Sequence, residues 1–209
     1  MSATKEKRNL LVWLIAVTSL ILLMTAKQAL AARPLEDVKG LFDKVIGILH
    51  NPAYQASEQK SKRLQLIEQA ILGHFDYDEM AKLSLGQTWD TLNQAQQAEF
   101  VEVFKDLLKS SYANRIDELT KTEVAYGKET ENEDSAEVFT TIIRANDKIP
   151  VNFRLLHKPQ GWLIYDLEIE GVSMVGNFNS LLSRTLKVMS YAKLIKCMHE
   201  KAKENCLIR

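Results

Sequence analysis

The sequence predicts an α+β protein: helices first, then a four-stranded antiparallel sheet, then a C-terminal helix. Three observations carry that expectation. From Arg33 to Leu119 apolar residues recur at helical spacing. From Thr122 to Glu170 they fall into strand-like runs. The turns between those runs are short and polar, which joins antiparallel neighbours. Helices followed by a meander and a helix make an α+β domain rather than alternating βαβ units.

The first helix spans Arg33 to Leu49, with Val38, Leu41, Phe42, Val45, Ile46 and Leu49 on one side, and Asn51-Pro52 breaks it. The second runs from about Ser57 to Leu72 and stops at Gly73, placing Leu64, Ile67 and Ile71 opposite charged residues. A short third helix lies within Phe75 to Leu85. Asp76 is its expected N-cap, with Glu79 at capping-box spacing, and Gly86 ends it. The longest helix covers Leu92 to Leu119, striped by Phe100, Phe104, Leu107, Leu108, Ser111, Ile116 and Leu119 with Tyr112 beside them.

Four strands follow: TEVAYGKET, AEVFTTIIRA, IPVNFRLLHK and GWLIYDLEIE. Alternation puts Val151, Phe153 and Leu155 on one face of the third. It puts Leu163, Tyr165, Leu167 and Ile169 on one face of the fourth, with Asp166 and Glu168 pointing away. After Gly171 one final helix carries Leu181, Leu182, Leu186, Met189 and Ile195.

Composition narrows the function. The 209 residues are 46% hydrophobic and 26% charged, with 27 basic and 27 acidic side chains, so no basic surplus argues for nucleic acid. The N-terminus has the layout of an export signal. Lys5, Lys7 and Arg8 precede the uncharged run Leu10 to Ala26, and Ala29-Leu30-Ala31 supplies small-x-small cleavage chemistry. The expectation is a signal peptide over 1–31, cut after Ala31, ahead of a single domain over 32–209. The alternative is an uncleaved anchor, because the run has the length of a minimal spanning helix. Removing residues 1–31 leaves a mildly acidic protein.

Cys197 and Cys206 are the two cysteines. On one continuous helix they would stand about 13 Å apart, too far to bond, so pairing needs the helix to end and the tail to turn back. Two free thiols are the other possibility.

No catalytic set emerges. His50, His74, His157 and His199 lack metal-ligand spacing, and no phosphate loop or dinucleotide fingerprint is present. Gly171-Val172-Ser173-Met174-Val175 approaches a nucleophile elbow but lacks its second glycine. Asp76, Asp78 and Glu79 read as capping and solvation rather than acid–base chemistry. The expectation is a protein that is not an enzyme, with no metal and no cofactor.

What remains is an order of segments. HFDYDEMAKLSLG (His74 to Gly86) is followed by Trp89, then QAEFVEVFKDLLKSSYANRIDEL, then GWLIYDLEIEGVSMVGNFNSLL (Gly161 to Leu182). Together these resemble the MlaC family, the toluene-tolerance auxiliary proteins of an ABC transport system, over nearly the whole mature chain. Asn179 stands where that pattern leads one to expect a basic residue, and the two-cysteine tail is a second departure.

The resemblance implies a soluble periplasmic carrier of phospholipid. It implies exchange with an inner-membrane ABC transporter bearing an MCE-type ring and with an outer-membrane lipoprotein complex, in the service of outer-membrane lipid asymmetry. It also implies an NTF2-like cone, a curved antiparallel sheet packed by helices with an apolar cavity between them. Transport of this kind has a physical need for a carrier: a diacyl lipid exposes roughly 30 methylenes, at about 0.8 kcal/mol each, so on the order of 20 kcal/mol opposes its free passage through water.

Tails entering such a cone would meet apolar positions of the family segments and sheet faces: Leu83, Leu85, Phe104, Leu108, Tyr112, Val151, Phe153, Leu155, Tyr165, Val172, Met174 and Phe178. Three other readings compete with a phospholipid carrier. One is a binder of a hopanoid or other apolar metabolite, from the family branch found in hopanoid-synthesis gene clusters. The others are an adaptor with a filled core and a hydrolase.

Overall fold

The computed structural model describes residues 33–117, 122–145, 147–200 and 206–207, with side chains for all of these except 112–117. The expected leader over 1–31 and its cleavage point lie outside the described residues.

Helix α1 (Pro34–His50) starts on a proline, which needs no backbone donor in the first turn, and carries Glu36 and Asp37 near its positive end. Asn51 ends it and caps the single turn Pro52–Tyr54 through its side chain. A second tight turn (Ser57–Gln59) leads into α2 (Lys60–Ile71).

Residues 74–76 then run alongside the sheet. Ile164 donates to the His74 carbonyl and Asp76 N–H donates to the Ile164 carbonyl, both at 2.8 Å. Asp76 is the N-cap of α3 (Tyr77–Leu85), accepting from Glu79 N–H at 3.0 Å. The reciprocal half of the capping box is not made. The Asp76 N–H is committed to the sheet, and Glu79 turns instead to Lys82.

A tight turn (Gly86–Thr91) leads to α4 (Gln94–Asp117). There the box is complete: Asn93 and Gln96 exchange side chain-to-backbone bonds at 3.0 Å each.

The strands are β1 (Glu123–Asn132), β2 (Ser135–Arg144), β3 (Asp147–Lys158), β4 (Gly161–Ile169) and β5 (Val172–Ser173), in sequence order and antiparallel throughout. The sheet therefore has five strands, not four. The fifth forms because Glu170 and Gly171, both at positive φ, turn the chain back on Ile169.

The C-terminus also differs from expectation. The single helix is two, α5 (Met174–Leu186) and α6 (Tyr191–His199). The chain turns between them at residues 187–190, where no glycine or proline announces a break.

The interior has two apolar clusters. One lies between a sheet face and the α1–α2 pair: Val38, Leu41, Phe42, Val45, Leu49 and Ile67 against Ala136, Val138, Val151, Phe153, Leu155, Trp162 and Ile164. The other joins α3 to α6, with Phe100, Phe104, Phe178, Leu182, Leu194 and Met198 at its centre. Phe75, at the junction of α2 and α3, packs on both.

Candidate functional site

Three of the positions expected to meet ligand, Val151, Phe153 and Leu155, lie together on the sheet face beneath α1, each buried. Register sets Phe153 between Val138 and Leu167. The Phe42 ring stands edge-on over it at 5.5 Å, and Tyr126 closes the far side of Phe42 at 6.2 Å. Aromatic edges over faces favour this seam beyond their buried area.

Six others belong to the helical cluster: Leu85, Phe104 and Phe178 at its heart, with Leu108, Tyr165 and Met174 around them. Phe104 meets Phe178 edge-on at 5.4 Å and stacks with Phe100 at 5.8 Å. Leu83 (38% exposed) and Val172 (61%) face solvent, so the structure does not bring them to either cluster. The side chain of Tyr112 lies outside those described. The expected set is thus divided between two clusters rather than gathered around one space.

Tyr165 and Leu163 depart from the predicted strand faces. A β-bulge between Arg154 and Leu155 pairs Asp166 with Arg154 but Ile164 with Leu155, leaving Tyr165 as the extra residue. The phase of β4 shifts by one across it. Trp162 and Ile164 before the bulge, and Leu167 and Ile169 after it, all serve the sheet-side cluster, while Tyr165 joins the helices.

The same bulge creates a polar centre that alternation alone did not show. Asp166, 3% exposed, accepts from the Ser173 hydroxyl at 2.6 Å and from Val175 N–H at 3.0 Å, and Arg154 reaches it at 3.3 Å. The Arg154 guanidinium also holds Glu168 at 2.7 Å and approaches Glu137 at 3.8 Å. Ser173 in turn accepts from Gly176 N–H at 2.9 Å as the N-cap of α5. Its hydroxyl is committed in both directions to starting a helix, the role that the incomplete elbow motif conceals.

Asp166 therefore anchors α5 to the sheet. Asp166→Ala is expected to lower unfolding free energy by about 3 kcal/mol, since it orphans a buried N–H and leaves a guanidinium underpaired. Urea denaturation of the variant measures this, with Asp166→Asn expected to lose less.

Midway along α5, the Asn179 amide donates to the carbonyls of Leu83 and Ser84 at 3.2 and 3.3 Å, satisfying the last turn of α3. Gly86 turns there at φ 59° and ψ −137°, and a Cβ on it would sit 2.8 Å from the Asn179 amide nitrogen. Gly86→Ala is thus expected to cost about 2 kcal/mol, combining backbone strain with a displaced cap. Thermal melting would show it as a lower midpoint. The junction opens to solvent as a cleft of about 490 Å³ lined by Leu85, Gly86, Thr88, Asn179 and Lys187 among others.

Ionisable groups elsewhere are structural in placement. Lys158 pairs with Asp76 at 2.9 Å, a contact that raises the lysine pKa above its ordinary value. Burial lowers the pKa of His74, helped by Lys44 and opposed by Asp37. Burial raises that of Asp37, against His74 and a backbone hydrogen bond from Trp162. Among the described residues, no three His, Cys, Asp or Glu side chains gather in a way that could hold a metal ion.

Cys197 and Cys206 are joined, with Cα atoms 5.9 Å apart. The condition set by the sequence is met: α6 ends at His199, and Cys206 and Leu207 return to be buried in the helical cluster.

The sequence profile of the family described as MlaC protein matches residues 39–200. Among solved structures, a phospholipid-binding protein from Ralstonia solanacearum, determined in complex with a phospholipid, superposes with a TM-score of 0.71 at 21% sequence identity. The match covers 84% of this chain and 99% of that one. No curated protein matches the chain.

Proposed function

Because the chain belongs to the MlaC protein family, we propose that it is a periplasmic phospholipid-binding protein that carries lipid between membrane complexes. The observation carrying this reading is the family match over residues 39–200. The fold shared with a protein solved in complex with a phospholipid supports it. So does the chemistry of the interior, where two apolar clusters offer aliphatic and aromatic side chains to acyl tails.

In this reading the tails lie between sheet and helices, in a cavity of the NTF2-like cone that opens to admit them, and the head group stays in water at the mouth. That division avoids burying an unpaired charge. Residues 1–31 act as the export signal, cut after Ala31, and residues 32–209 form the carrier. The Cys197–Cys206 bond suits the oxidising periplasm. The partners are an inner-membrane ABC transporter with an MCE-type ring and an outer-membrane lipoprotein complex. The protein performs no catalysis, so its turnover is binding and release.

A vesicle assay tests the reading. Donor vesicles carrying self-quenched fluorescent phospholipid are mixed with unlabelled acceptors and the purified protein. Dequenching proportional to protein concentration, without vesicle fusion, is the expected result. Transfer no faster than the spontaneous background would defeat the carrier reading.

A further inference from the structure

The two apolar clusters are fastened in different ways. The helical cluster is closed by the Cys197–Cys206 bond, by the Asp166 anchor at the start of α5, and by Asn179 on the end of α3. The sheet-side cluster is covered by α1 and α2, whose buried Val38, Leu41, Phe42, Val45, Leu49 and Ile67 belong to that cluster. Helix α1 packs on α2, β1 and β2, and α2 packs on α1.

Described polar ties of this hairpin to the body lie at the start of α1 and on α2, and Asp37 near the start of α1 accepts a backbone hydrogen bond from Trp162 of β4. At the start of α1, one Glu129 carboxylate oxygen accepts from Leu35 N–H at 2.8 Å, and the other is gripped by the Arg33 guanidinium, with Nε at 3.0 Å. Glu129 comes directly after the β1 bulge, between Tyr126 and Glu129, that turns it toward the helix. On α2, the exposed pair Lys109–Glu68 is of the kind that adds little in water. The buried cover beneath the hairpin is apolar contact, which has no directionality and is replaced in kind by acyl chains.

We propose that the α1–α2 hairpin is the lid of the lipid site, lifting from the sheet to admit acyl chains against Val151, Phe153 and Leu155, with Glu129 as its latch. This rests on the phospholipid reading and deepens it. The latch is apt for the task. One side chain satisfies an orphan helix N–H and an arginine together, so its release undoes both of those ties at the start of α1. The Phe42 ring, wedged between Tyr126 and Phe153, leaves the seam with the helix and vacates the space that a tail would fill. The disulfide and the Asp166 anchor hold the other cluster as the fixed body.

Hydrogen exchange of the full exported protein, with and without phosphatidylglycerol–phosphatidylethanolamine vesicles, tests this alongside transfer by Glu129→Gln. The lid predicts that amides of residues 34–71 lose protection together on vesicles while α3, α5 and α6 keep theirs. It also predicts that Glu129→Gln transfers lipid several-fold faster than wild type. Opening of α3 or α5 with α1 still protected would overturn the lid, as would an unchanged transfer rate, and in either case measurable transfer leaves the phospholipid reading standing. If wild type neither binds nor transfers lipid, the lid falls with that reading. Should Glu129→Gln fail to fold, the wild-type exchange pattern decides alone.

Discussion

Replacing Phe153 with arginine is expected to remove bound phospholipid and to destabilise the fold severely. Phe153 is 3% exposed, flanked by Val138 and Leu167 across the strands and covered by Phe42. Losing a buried phenylalanine costs about 3–5 kcal/mol where the site cannot collapse. A guanidinium placed there is set among the aliphatic and aromatic side chains of that cluster, and a poorly paired buried charge costs several kcal/mol more. Together these approach the whole stability of an ordinary domain, about 5–15 kcal/mol.

Phe153→Leu separates folding from binding. It keeps the seam apolar and should cost about 1 kcal/mol, leaving a folded protein that holds lipid less tightly. Thermal melting and lipid extraction on both variants check the pair. A Phe153→Arg protein with wild-type melting and undiminished lipid would show that the sheet face is not where tails lie.

Reduction of Cys197–Cys206 is expected to produce the second large effect. The bond closes a loop with a sequence separation of 9, for which loop-closure entropy gives about 2–3 kcal/mol. It also keeps Cys206 (3% exposed) and Leu207 (8%) against Leu194, Ile195 and Met198. Cys197→Ala with Cys206→Ala should therefore lower the urea midpoint, as should reductant added to wild type. Hydrogen exchange should find the loss in α6 and α4 rather than in α1. Equal stability with and without reductant would mean that the tail contributes nothing to the helical cluster.

Much of the fold was legible in local pattern. Of the predicted α1 stripe, Val38, Leu41, Phe42, Val45 and Leu49 are buried and Ile46 is half-buried beside them. Asp76 caps α3, and the strand runs follow alternation through β3. Pattern failed at β4 for a definite reason. Residues 162–165, Trp-Leu-Ile-Tyr, are all apolar, so alternation there fits either phase, and only Asp166 and Glu168 fix the phase downstream. The bulge that reconciles the two halves is set by pairing with β3, which no local period records. The α5–α6 break escaped because Lys187-Val188-Met189-Ser190 has no helix breaker, and Ser190 precedes α6 without a side-chain cap.

The candidate site was less legible than the fold. Apolar residues at helical or alternating spacing show that a face is buried, but not which of two clusters buries it. Phe104 and Phe153 look alike in sequence and lie in separate clusters. The Asp166 anchor joins β3, β4 and α5 through side chains distant in the chain. Its one local trace was an acidic residue inside an apolar strand beside Ser173.

The most direct test of phospholipid carriage is native mass spectrometry of the exported chain, purified from periplasmic extract without detergent, with lipid extraction alongside. The account predicts a mass excess that resolves into diacyl phospholipid and counts the chains held. A bare polypeptide mass, unchanged after incubation with phospholipid vesicles, would contradict it, and a hopanoid-like mass would assign the interior to a different ligand.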